Sequence, residues 1–190
     1  EALAAKQKEY NVTVDTVNQL KRQLQTQQEL NKARAPQTNS TQNSMQGNML
    51  KAVEATRKSV LANKGDVDTK GAQETAARIK LMAAEVGKAA KSMDADSRRL
   101  AVEFGKALSK ISKDAAKGGT ATTQALENMA SAVETYSQQV ADTPGTTSLF
   151  DNAEGVQQTT AMVQEASRQI SSLQGQATEL RDISTQADGF

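Results

Sequence analysis

The stretch LANKGDVDTKGAQE, Leu61 to Glu74, holds the residues whose types and spacing come nearest to a metal site. A calcium loop of the EF-hand kind needs oxygen ligands at positions 1, 3 and 5, a Gly at 6 and a bidentate Glu at 12. Counted from Asp66, position 3 is Asp68 and position 6 is Gly71, as required. Position 5 is Lys70, a cation, and position 12 is Ala77, which cannot coordinate. The same residues read more completely as a helical hairpin turn. Gly65 after Asn63-Lys64 suits a helix C-terminus, and Asp66 or Asp68 can cap the N–H groups that open the next helix. No metal ligand set is assigned.

A second set is cationic. Between Asn31 and Asn48 the chain carries Pro36 and a run of amides and hydroxyls, Gln37, Thr38, Asn39, Ser40, Thr41, Asn43 and Ser44. Such a run faces water or lines a polar cavity between helices. In the second case Arg34 is the anion partner, with Asn39 and Asn43 as neighbouring polar groups and Arg57 as an independent second site, since Arg takes a carboxylate in bidentate fashion. The two arginines lie roughly 34 Å apart on a straight helix, too far for one small ligand. Asp94 and Arg98 are spaced for an i,i+4 ion pair. Arg98-Arg99 can hold an anion or serve as ordinary surface charge. There is no phosphate-binding Gly loop and no Ser-His-Asp or Cys-His set. The sequence predicts no catalytic residue, no cofactor and no enzyme.

The elements that must position these groups follow from composition. The 190 residues include no Trp, Cys or His, and aromatics make up 3%. A chain so poor in aromatics builds narrow apolar seams between helices more readily than a thick globular core. The net charge of +1 gives no case for nucleic acid. Its distribution is uneven, with 21 basic and 16 acidic side chains in residues 1–142 against 2 and 6 in residues 143–190. The acidic segment marks a partner surface or a helix packed beside more basic ones. No apolar run reaches the roughly 20 residues of a membrane span.

Apolar residues recur at steps of three and four. They run Tyr10, Val14, Val17, Leu20 and Leu24, then Met49, Val53, Thr56 and Val60. The pattern continues through Ile79, Met82, Val86, Ala89 and Met93 to Leu100, Phe104, Ala107 and Ile111, with Asp96 at an expected seam position. Leu126, Met129, Val133, Tyr136 and Val140 follow, then Val156, Val163, Ile170, Leu173, Leu180 and Ile183. This is the spacing of coiled-coil-like packing. Gly65, Gly118-Gly119 and Pro144-Gly145 punctuate it, and Asp151 with Glu154 resembles a capping box. The sequence therefore predicts a single elongated all-α domain over residues 1–190, an antiparallel four-helix bundle. Its helices fall at about 2–63, 68–117, 120–142 and 152–187, the first kinked near Arg34 by Pro36 and roughly 90 Å long.

The segments RAPQTNSTQNSMQGNMLKAVEATRKSVLANKGD and ARIKLMAAEVGKAAKSMDADSRRL, within residues 30–115, carry a likeness of layout. They resemble the first two helices of the ligand-binding region in bacterial methyl-accepting chemotaxis receptors and related helical sensors. The shared parts are a polar stretch in a long first helix, an Arg near it and a tight turn into the second helix. This chain departs from that layout in having no aromatic side chain between Arg34 and Arg57. The resemblance implies an extracytoplasmic (periplasmic) domain of an inner-membrane protein, held between two membrane spans. It also implies a homodimer, a small-molecule or anionic ligand and a signal carried by displacement of one helix. The rival readings are a structural or assembly protein of a secretion system or pilus with no small ligand, and a cytoskeletal helical module.

Overall fold

The computed structural model describes residues 1–34 and 40–188. Six helices fill them: α1 (Ala2–Arg34), α2 (Ser40–Ala62), α3 (Thr69–Ala90), α4 (Ala95–Ala115), α5 (Gly119–Asp142) and α6 (Ala153–Asp188). There is no strand among the described residues, so the fold is all-α. The count differs from the expected four because two helices are divided.

The first division falls between Arg34 and Ser40. α1 does not continue into α2 but lies antiparallel beside it: Asn18 meets Arg57, and Gln28 and Lys32 share a cleft with Asn43 to Lys51. The expected helix of 2–63 is thus folded double. Pro36, with Gln37, Thr38 and Asn39 of the polar run, lies outside the described residues.

The second division falls at 91–94. Lys91, Ser92 and Met93 donate to carbonyls three residues back, which tightens the end of α3. Asp94 then caps α4 by accepting from the N–H groups of Asp96 and Ser97 and from the Ser97 hydroxyl. Arg98 does not pair with Asp94 as its spacing suggests. Its guanidinium donates to the Ala90 and Met93 carbonyls, covering the α3 end where the helix dipole is negative. The Ser97 hydroxyl and N–H hold the Asp94 carboxyl below the usual carboxylate range. The cap is therefore present above the ordinary Asp pKa and lost as pH falls through the lowered value.

Contacts among the helices place α1, α2 and α3 in one layer and α6, α5 and α4 in the other, with α2 packed on both α6 and α5. Successive helices are antiparallel. A single buried cluster runs from Val17 and Leu24 of α1 to Ile170 and Leu173 of α6. It contains the expected seam residues Met49, Val53, Val60, Ile79, Met82, Val86, Leu126, Met129 and Val133. Ala107, expected in the seam, is exposed, whereas Met45, Leu50 and Leu149 are buried without having been expected.

The α2–α3 turn is closed by its own backbone and by a side-chain cap. Lys64 takes the left-handed conformation (φ 50) and the Gly65 N–H returns to the Val60 carbonyl, a Schellman closure. Asp68 then caps α3, accepting from the Gly71 N–H at 2.7 Å and the Ser59 hydroxyl at 2.8 Å. Those two bonds, the backbone one first, hold its carboxyl below the usual range. At the far end the 143–152 connector is fixed by Tyr136, whose hydroxyl accepts the Leu149 N–H. Asn152, one residue later than the expected Asp151, caps α6 through the Gly155 N–H.

Candidate functional site

The polar run of α2 divides by face. Gln42 and Gln46, one turn apart, turn toward the start of α6 and are 2% and 4% exposed. Gln42 exchanges two hydrogen bonds with the Asn152 backbone, donating to its carbonyl at 3.4 Å and accepting its N–H at 3.0 Å. This amide replaces an apolar seam residue without leaving a buried polar group unpaired.

The other face of the run meets α1. Asn43, Ser44, Gly47, Asn48 and Lys51 of α2 and Gln28 and Lys32 of α1 line a cleft of about 320 Å³. Gly47 opens it, since no neighbouring atom lies within 4 Å of where a Cβ would stand. The Asn48 amide is pinned by donating to the Ser44 carbonyl at 2.9 Å. The described lining carries two ammonium groups and several amides but no carboxylate, so it offers donors and positive charge. It contains no nucleophile–base pair.

Of the four residues singled out by the sequence, Asn43 is in this cleft, half-buried. Arg34 ends the α1 backbone, but its side chain and all of Asn39 lie outside the described residues. Arg57 is elsewhere, about 21 Å from Asn43 along α2. Its guanidinium is 6% exposed and already occupied. Nε and Nη2 grip the two Glu54 carboxylate oxygens at 2.9 and 2.8 Å, and Nη1 donates to Asn18 at 3.3 Å. It clamps α1 onto α2. A ligand anion there must displace Glu54.

Lys32 and Lys51 were not singled out by the sequence, because only folding α1 back on α2 brings them together. A second cleft, of about 440 Å³, lies at the opposite end among Gln7, Tyr10, Lys64, Leu180 and Arg181. Its Arg181 donates to the Lys64 carbonyl at 2.9 Å and so serves the α2–α3 turn. In the turn at 66–77, whose spacing only partly matches a calcium loop, Asp68 Oδ1 is spent on its cap and Lys70 and Ala77 are exposed. No group of three or more metal-ligating side chains occurs among the described residues. Compared with protein-family models, curated proteins and solved structures, the chain finds no match in any of the three.

Proposed function

We propose that the chain is the extracytoplasmic sensor domain of a membrane-anchored receptor of the chemotaxis type, binding a small anion between α1 and α2. The observation that carries this reading is the pairing of α1 with α6. Lys6 meets Glu179 at 2.8 Å and Gln176 donates to Glu9 at 3.2 Å, so the two outermost helices run antiparallel and leave the bundle side by side. That is the exit geometry a domain needs when it hangs between two membrane spans. No described helix is itself long and apolar enough to cross a membrane. The spans therefore belong to flanking sequence in this reading.

The mechanism follows from where the cleft sits. α1 supplies Gln28 and Lys32 at one end and the exit segment at the other, about 39 Å away from Lys32 to Lys6. An anion that draws Lys32 and Lys51 together shifts α1 along α2. The shift reaches the exit as a displacement of α1 against α6. The contacts there are exposed and solvent-screened, so they resist sliding weakly. The ligand biases two packings of one seam by its differential affinity for them. The polar stretch ahead of the tight turn at Gly65 is the layout shared with the helical sensors; the reversals between Arg34 and Ser40 and at 91–94 raise the helix count to six. The domain works as a homodimer and performs no covalent chemistry.

The test is a thermal-shift screen of organic acids, amino acids and inorganic anions. A true ligand at about 100 times its Kd adds roughly 2.7 kcal/mol of stability. Lys32→Ala and Lys51→Ala are expected to weaken it at least about tenfold, the loss of one charged contact, and Asn43→Ala less; Arg34→Ala tests the anion partner that the sequence singled out. Arg57→Ala lowers stability but leaves affinity intact. Hits that survive all the cleft changes at full affinity place the site elsewhere. A protein that no anion shifts favours the alternative, a structural element of a secretion system or pilus.

A further inference from the structure

The charge of the molecule is divided between faces. α3 and α4 carry nine basic and five acidic side chains, while α5 and α6 carry two and eight. α5 has no basic residue at all. On the outer side of α4, Lys106, Lys110 and Lys113 follow one another at steps of four and three, which sets them on one stripe. They line a groove of about 380 Å³ against α3, with Ala83, Gly87 and Gly105 as its low floor. Among the described residues none of the three lysines has an ion-pair partner. Val102 in the groove is 41% exposed.

The outer face of α5 is the converse. Glu127, Glu134 and Asp142 recur at steps of seven and eight, again one stripe. Each is satisfied by a neutral amide alone, from Gln124, Gln164 and Gln138 respectively. No ion pair among the described residues joins this face to the lysines. Lys106 and Lys113 are seven residues apart, and so are Glu127 and Glu134. Both intervals are about 10.5 Å along a helix, so the stripes match in register.

We propose that the α3–α4 groove, through Lys106, Lys110 and Lys113, docks the α5 face of a second copy of this chain through its Glu127 and Glu134. The occupant is a second copy because the chain itself supplies the complementary stripe at the matching interval. The groove face measures about 30 Å by 20 Å, taking two helices of some twenty residues and their diameters. That is of the order of the roughly 800 Å² per partner buried in a stable interface. The low floor lets a helix approach closely, and Val102 adds apolar contact. Because two different patches meet, the contact is heterologous and propagates into chains or a ring. The proposal goes beyond the sensor reading and does not depend on it.

Sedimentation velocity of residues 1–190 tests it. At about 50 mM salt the protein is expected to self-associate, and raising salt to about 500 mM weakens this at least tenfold through screening. Lys106→Glu/Lys110→Glu/Lys113→Glu and Glu127→Lys/Glu134→Lys are each expected to lose this salt-sensitive association. Mixed together they associate again, since the intact groove of one meets the intact α5 face of the other and the two reversed patches are themselves of opposite charge. The neutral triple change to Gln weakens association without reversing charge, and far-UV circular dichroism confirms that each variant is folded. A wild type that stays monomeric at low salt overturns the proposal, as does a mixture that fails to pair. Lysine-dependent retention of an oligonucleotide by a protein that never self-associates also overturns it, and assigns the face to a polyanion.

Discussion

Tyr136→Ala is expected to lower the unfolding free energy by about 3–5 kcal/mol, the range for truncating a buried aromatic side chain. Tyr136 is 1% exposed and stacks on Phe104 with ring centroids 4.8 Å apart. Phe150 meets it edge-on at 5.5 Å. Three of the five aromatic residues of the chain thus form one cluster, where α4, α5 and the 143–152 connector converge. The seams elsewhere are built of Val, Leu, Ile, Met and Ala, with buried Thr and Ser among them. Tyr136→Phe keeps the rings but removes one buried hydrogen bond, that from the Leu149 N–H, at about 0.5–1.5 kcal/mol. Urea denaturation of both variants measures the two effects separately. A Tyr136→Ala protein within about 1 kcal/mol of wild type contradicts the packing described.

Gly65→Ala is expected to cost about 2–4 kcal/mol, from two sources acting together. Gly65 has φ +97, and a Cβ there would overlap the Ala177 Cβ of α6. Gly145 gives the control for the first source alone. It has φ +80 with nothing within 4 Å of a Cβ, so Gly145→Ala costs about 1–2 kcal/mol. The double change Gly65→Ala/Ala177→Gly removes the overlap but not the backbone strain, so it is expected to recover the difference. Equal losses in Gly65→Ala and Gly145→Ala, with no recovery in the double variant, exclude a close approach of the α2–α3 turn to α6.

The seams were legible because their signal is local. Ile79, Met82 and Val86, or Leu126, Met129 and Val133, show three–four spacing within one turn or two, and all are buried. The turn at Gly65 was equally legible, although Lys64 shares its left-handed backbone. The two reversals were not. Pro36 is compatible with a kinked helix as well as with a turn, and the choice depends on where Val17 and Leu24 find partners far along the chain. At Asp94 a signal existed: an acidic residue with a second carboxylate, Asp96, two positions on is a usual helix start. It was outweighed by the absence of Gly or Pro.

The site was legible only in part. The sequence marked the right segment, since Asn43 lines the cleft, but Gln42 and Asn152 are 110 positions apart and no local pattern joins them. Arg57 looked available because its partners were not considered. Glu54 at i−3 was the visible signal, and Asn18 came into reach only when α1 folded back. Lys32 and Lys51 were unremarkable as a sequence pair for the same reason.

The most direct measurement of the sensor account is the distance between the two exit helices, with and without ligand. The chain has no cysteine, so Ala4→Cys and Thr185→Cys, both at exposed positions, place two spin labels and no others. Without ligand the account predicts one narrow, short distance, set by neighbouring helices about 8–10 Å apart at their axes. With an anion that passes the Lys32 and Lys51 tests, the distribution is expected to shift by about 1–2 Å, the scale of helix shifts in switching proteins. A long or broad distance in the free protein, or one that a saturating anion leaves unchanged, contradicts it.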